Sequence, residues 1–262
     1  NTSALNAGAV RGDGPLVITG STFSGNSAAN GGGAIISHGT TTITNSTVAS
    51  NTALDGGGIQ FFEGTATIRN TTIAYNTATR DGGGTAVNFA NVTAVNTIIA
   101  GNSAKNDPNT WGLAFNASSS NNLLNLSAAA AGLGALAGNG GLTQTIALLP
   151  GSPAIHAGTS IGAPTADQRG LPRVGATDIG AFEAQSGVAS LAINDGAAQR
   201  SRLTNLIVQF VAPVDAATLS GISFTRTSGG TIGTVVTAGN GLVVSPASGM
   251  VTSITLSFAN IS

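Results

Sequence analysis

An asparagine closes the same short phrase at Asn26, Asn51, Asn76 and Asn102, at intervals of 25, 25 and 26 residues. A fixed period of this length constrains the fold more than any local propensity does. A chain that winds into stacked coils meets the same environment once per turn, and its sequence then repeats at the length of one coil. Three residues before each asparagine stands an apolar residue, Phe23, Val48, Ile73 or Ile99, and a second apolar column runs through Ile18, Ile43 and Ile68. Glycine triplets follow at 31–33, 56–58 and 82–84, and the single extra residue lies between Asn76 and Gly82. The opening residues keep the register: Asn1, Gly8, Ala9, Val10, Gly14 and Ile18 stand 25 before Asn26, Gly33, Ala34, Ile35, Gly39 and Ile43, as expected of a chain that begins inside an array.

Segments such as 40–47 and 65–72 are short, rich in β-branched residues and bounded by Gly or Asn, which predicts strands. About three of them per period would complete a coil, and a strand lying beside its own copy must run parallel to it. The expected fold is therefore all-β, a parallel β-helix of about 25 residues per coil over 1–138. Composition agrees, because 41% of the residues are hydrophobic but only 7% are charged, against about 25% in ordinary soluble domains. When like residues sit above like, charges repel their copies, whereas Asn side chains can bond to one another and to backbone amides.

The same numbers exclude several classes. A net charge of −1 without a Lys/Arg cluster leaves no footprint for nucleic acid or an anionic membrane. Zero cysteines exclude a disulfide framework and Cys-based metal or redox sites. The longest weakly apolar run, 128–137, is about half of what a membrane span needs. The chain opens on Asn without a charged and then apolar leader, so an export signal is expected upstream.

The phrase Thr22-Phe23-Ser24-Gly25-Asn26-Ser27-Ala28, followed by Gly31-Gly32-Gly33-Ala34-Ile35, resembles repeats of polymorphic outer-membrane proteins and other bacterial right-handed parallel β-helix proteins. A second set looks like the choice-of-anchor Q domain: Asn139-Gly140-Gly141-Leu142-Thr143-Gln144-Thr145, Leu148-Leu149-Pro150-Gly151-Ser152-Pro153-Ala154-Ile155, Asp167-Gln168-Arg169-Gly170-Leu171-Pro172-Arg173 and Asp178-Ile179-Gly180-Ala181-Phe182-Glu183. His156 stands where that family usually has Asp. The resemblance implies a secreted or cell-envelope protein, displayed at the surface by an anchor further along the chain, and it implies no catalytic residue.

It also marks 139–186 as a capping segment, in which Asp167, Arg169, Arg173, Asp178 and Glu183 are expected to form an ion-pair and hydrogen-bond network that closes the open end of the helix. Beyond it, over 187–262, the period vanishes and strands are expected at 206–210, 222–225, 231–237, 242–244 and 253–258. The stretch 208–219 is similar to bacterial immunoglobulin-like spacer modules. At about 75 residues the module is shorter than the roughly 100 of a complete sandwich, so a truncated Ig-like β-sandwich is expected.

Candidate sites are few. Asn30, Asp55, Asp81 and Asp107 follow the repeat asparagines by four or five residues, and stacked carboxylates would repel. Either Ca²⁺ is held by Asp55, Asp81 and Asp107, or each residue caps a turn and solvent screens the charges. Arg80 and Lys105 lie near this column, and a cation, acids and a base are the parts with which a β-helix lyase neutralises and deprotonates a uronate. His38 and His156 belong to no ligand-spaced cluster. The hydroxyl column Thr22, Thr47 and Thr72 is expected to be a solvated strand face, and the Asn45 and Asn70 glycosylation-type triplets to arise by composition. With 4% aromatic residues, one Trp111 and one Tyr75, no stacking platform for sugar rings is expected, and Trp111 is expected to pack. The expected function is a noncatalytic structural or adhesin-like scaffold whose ligand is a surface polysaccharide or protein, with no cofactor beyond the Ca²⁺ candidate. The alternative is a polysaccharide-acting lyase or hydrolase.

Overall fold

A computed structural model describes residues 1–185, 188–193, 205–215, 223–224, 236–238, 241–245 and 250–258. They belong to two compact units, Asn1–Ala184 and Gln185–Ser262. The first is an all-β parallel solenoid of about five turns with about 25 residues per turn. Each of the first four coils carries four short strands where the sequence suggested three. The first sheet stacks Thr2–Ser3, Ser27–Ala28, Thr52–Asp55 and Thr77–Asp81; the second stacks Val10–Gly12, Ile35–Ser37, Ile59–Phe61, Thr85–Val87 and Thr110–Gly112. The third is made of Leu16–Thr19, Thr40–Thr44, Thr65–Arg69 and Asn91–Val95, and the fourth of Thr22–Ser24, Thr47–Ala49, Thr72–Ala74, Ile98–Ala100 and Leu123–Leu126.

The extra strand comes from a two-residue corner. Gly20, Asn45, Asn70, Asn96 and Asn121 all take left-handed φ, between 46° and 59°, and turn the chain between the third and fourth sheets. Glycine and asparagine are the residues that tolerate this conformation best. Segments that read as single strands at 40–47 and 65–72 are thus broken at Asn45 and Asn70, and the triplets read as compositional are the corner itself.

Inside the coils the apolar columns stack as the period requires. Phe23, Val48, Ile73 and Ile99 pair in direct register, and Leu124 extends the column. Ile18, Ile43 and Ile68 form the next one, and both enter a single core with Ile35, Ile59, Phe61 and Val87. The coils approach so closely at the turn between the first and second sheets that a Cβ on Gly57 would lie 2.4 Å from the Thr77 carbonyl oxygen. The extra residue of the fourth coil is absorbed as a β-bulge between Ala78 and Asp81 of the strand Thr77–Asp81, and it leaves Arg80 exposed on the outer side.

After the antiparallel pair Leu133–Ala137 and Thr145–Leu148, residues 149–184 form no strand. They lie along the flank of the fourth sheet, not over the end of the stack as the sequence suggested. Their contacts run from the first coil to the fifth: Gln168 bonds Ser21, Thr22 and Thr47, Ala181 bonds Thr72, Asn96 bonds Thr159, and Asn121 bonds Ala157. The reason lies in the outward residues of that sheet. Thr47, Thr72, Ile98, Ala49, Ala74 and Ala100 are small, apolar or hydroxylic, and covering them removes apolar surface from water. Thr47 is 0% and Thr72 2% exposed and Thr22 is half-buried, so the hydroxyl column is a covered contact surface and not a solvated strand face.

The described strands of the second unit form one sheet, in the order Val188–Ile193, Asn205–Asp215, Met250–Phe258, Gly241–Ser245, Val236–Ala238 and Ser223–Phe224. Pairing is antiparallel except between Val236–Ala238 and Gly241–Ser245. The expected strands at 206–210, 242–244 and 253–258 fall within these; parts of 222–225, 231–237 and 208–219 lie outside the described residues. Among the described residues no helix is long and apolar enough to cross a membrane.

Candidate functional site

The repeat asparagines form a ladder inside the corner between the fourth and first sheets. Each Oδ1 accepts from both the backbone N–H and the side-chain amide of the asparagine one coil earlier, at 2.9 to 3.0 Å between Asn26, Asn51, Asn76 and Asn102. Each inner amide also donates to carbonyl oxygens of the fourth sheet, as Asn76 does to Val48 and Ala74. The ladder ends on Asn109, whose Oδ1 takes the two bonds from Asn102. The sequence could not reveal this residue, because it stands 7 positions after Asn102, outside the period.

The acidic column is out of step with its sequence reading. The residues in register are Gly31, Asp55, Asp81 and Asn106, because the stretches from Thr52 to Asp55 and from Ser103 to Asn106 are each one residue shorter than those from Ser27 to Gly31 and from Thr77 to Asp81. Asn30 and Asp107 each fall one position away, and Asp107 is an exposed turn residue with φ 45°. Asp55 and Asp81 remain adjacent, and Arg80 joins them. Its Nε donates to Asp55 Oδ1 at 2.9 Å, its terminal nitrogen pairs with Asp55 Oδ2, and Nε stands 3.3 Å from Asp81 Oδ2. The bond to Asp55, with the charge of that carboxylate, raises the pKa of the guanidinium further above its ordinary value. Asn106 donates to Asp81 Oδ1 at 2.8 Å. Asp55 and Asp81 share this guanidinium while Asp107 falls outside their register, and among the described residues no group of three or more His, Cys, Asp or Glu could hold a metal ion. Lys105 is exposed one coil further on.

Beside this triad lies a furrow over the outer face of the second sheet. Its outward row is Arg11, Ile36, Gln60, Ala86 and Trp111, one residue per coil. One wall is the turn into the third sheet, where His38 packs on Phe62 at 5.1 Å between ring centres and Phe62 meets Phe89 edge-on at 6.0 Å. The opposite wall carries Asn6, Asn30, Asp55 and Arg80, and a cavity of about 350 Å³ opens between the two. Two of the exposed aromatic rings, with His38, are therefore brought together where the sequence suggested no platform. Gln60 lies flat on the floor, with its side-chain oxygen where a Cβ of Gly31 would be and its amide donating to Asn88 Oδ1. His38 Nδ1 stands 3.5 Å from Asp13, which pairs with Arg11.

The five charged residues expected to form a network are brought together in the flanking segment. Asp167 accepts from Arg169 Nε and from the backbone N–H of Arg169, Leu171 and Glu183. Arg169 also stands over the Phe182 ring, 3.6 Å from its centre. Arg173 donates to Glu183 Oε2 at 2.9 Å and to Asn45 Oδ1 at 3.0 Å, tying the network to a solenoid corner. Asp178 accepts from the backbone N–H of His156 at 2.7 Å and of Ala184 at 2.6 Å. His156 itself is exposed, with φ 58°.

Burial pushes the Asp178 carboxyl up to about 6 in spite of these two bonds, and Glu183 nearby adds to the rise. A folded-state pKa above the unfolded value means that the folded state holds the proton more firmly. The stabilising contribution is then complete below about pH 3.8 and is lost as pH rises through about 6. Relative to Asp178→Asn, the native chain is expected to lose on the order of 2–3 kcal/mol between pH 4 and 7. Thermal melts of the two chains across that range measure the difference, and parallel curves would remove Asp178 as its source.

No protein-family model matches the chain, and comparison with curated proteins and with solved structures returns no similar one.

Proposed function

We propose that the chain is a noncatalytic, secreted or surface-displayed scaffold of the adhesin-like kind. The observation that supports this most is where the charged groups go. Arg80, Asp55 and Asp81, which a lyase would use on a uronate, are engaged with one another on a turn, and Asp167, Arg169, Arg173, Asp178 and Glu183 fix the flanking segment to the coils. A solenoid with its charges bound up in this way is a stiff support with long faces for contact. On this reading the coils are right-handed, residues 139–186 are a choice-of-anchor Q type segment, and 187–262 are an immunoglobulin-like spacer in a bacterial surface protein. The motifs at 139–145, 148–155, 167–173 and 178–183 support the family assignment.

A polysaccharide-acting enzyme is the second reading, favoured by the furrow in which Arg80 and Asp55 face a set of aromatic rings. Turnover separates the two. Incubation with polygalacturonate and other acidic polysaccharides, with and without Ca²⁺, is expected to yield no unsaturated product absorbing in the ultraviolet. Appearance of such product, abolished by Asp81→Asn or Lys105→Ala, would replace the scaffold by a lyase.

A further inference from the structure

We infer that the furrow over the second sheet binds a neutral polysaccharide chain lying along the solenoid axis. The inference deepens the scaffold reading, on which it rests for the display of this face to the outside. An isolated exposed phenylalanine needs no explanation. Here, however, Phe62 is 37% and Phe89 76% exposed, and together with His38 they form a file of rings, one per coil. The register adds Trp111 to the outward row of the same sheet. The rings are tilted by 37° and 78° to one another, so the file is an apolar ridge of faces and edges whose centres, 5.1 and 6.0 Å apart, are spaced comparably with the units of an extended sugar chain.

Sugars have an apolar C–H face and a rim of hydroxyls that both donate and accept hydrogen bonds. The furrow offers the complement of each. Apolar ring surface on one wall meets the C–H faces, while Asp55, Asn30 and Asn6 on the other wall face the rim. Peptide addition as an extra strand does not suit the place, because the inner strands of the second sheet are paired on both edges. Charge decides among polysaccharides. Asp55 and Asp81 against Arg80 leave one net negative charge beside the furrow, which opposes a polyuronate and leaves a neutral chain unopposed.

Affinity electrophoresis of the full chain in gels containing galactomannan, xyloglucan or polygalacturonate tests this, with reducing ends assayed in parallel. Retardation is expected in at least one neutral gel and not in polygalacturonate. Phe89→Ala and Phe62→Ala should each weaken it roughly fivefold, while Val17→Ala, an exposed residue of the third sheet, should not change it; unchanged circular dichroism shows that the variants fold. No retardation by either neutral polymer, stronger retardation by polygalacturonate, or wild-type retardation of both phenylalanine variants would overturn the inference. Retardation accompanied by new reducing ends would overturn the noncatalytic reading and keep the site. Absence of both retardation and turnover would overturn the site and keep the scaffold.

Discussion

Asn76→Ala is expected to destabilise the solenoid by about 3–5 kcal/mol. The side chain is fully buried. Its Oδ1 accepts from the Asn51 backbone N–H at 3.0 Å and from Asn51 Nδ2 at 2.9 Å, while its Nδ2 donates to Val48 O, Ala74 O and Asn102 Oδ1. Truncation strands several of these partners away from water, and each unmet buried group costs about 1–3 kcal/mol. Asn76→Asp is expected to be at least as harmful, since it removes the donor and aims a carboxylate at Asn102 Oδ1. Denaturant unfolding measures the loss, and hydrogen exchange should show it first in the amides of Asn51 and Thr77. A change below about 1 kcal/mol would mean that the ladder contributes little to holding the coils together.

Glu183→Ala should cost a similar amount, about 3–5 kcal/mol, through a different route. Glu183 is fully buried and pairs with Arg173, whose side chain is 3% exposed. It also accepts from the backbone N–H of Val174 and Asp178. Removal leaves a buried guanidinium without its counter-charge, which is far more costly than removing both partners. Arg173→Met combined with Glu183→Leu is therefore expected to recover part of the loss. Limited proteolysis should find new cleavage within 149–184 in the single variant while the inner coils stay protected. Cleavage confined to the coils would contradict the assignment of this pair to the flanking segment.

The columns Phe23, Val48, Ile73, Ile99 and Asn26, Asn51, Asn76, Asn102 were legible because every coil gives those positions the same surroundings. A strict period conceals local slips, however. Asp107 reads as continuing the acidic column, but the stretch from Ser103 to Asn106, one residue shorter than that from Thr77 to Asp81, places Asn106 against Asp81. The extra residue before Gly82 was visible, although not that its bulge leaves Arg80 exposed beside Asp55. Periodicity also says nothing of what lies against the outside of a sheet. Thr47 and Thr72 read as solvated, yet they are covered by residues more than 100 positions later. The furrow was hidden for the same reason: His38, Phe62, Phe89 and Trp111 follow no common spacing, and only the stacking of the coils makes them neighbours.

The orientation of the asparagine amides has one more consequence. From Asn26 to Asn109 each points the same way, presenting a socket to the preceding winding and a plug to the following one. A winding deleted or duplicated between Asn26 and Asn76 would leave the asparagine joints matched, but it would shift Gln168, Arg173 and Ala181 out of register with Thr47, Asn45 and Thr72. The ladder by itself thus admits lengths in steps of about 4.8 Å, and it is the flanking segment, bonded from the first coil to the fifth, that fixes the number of windings.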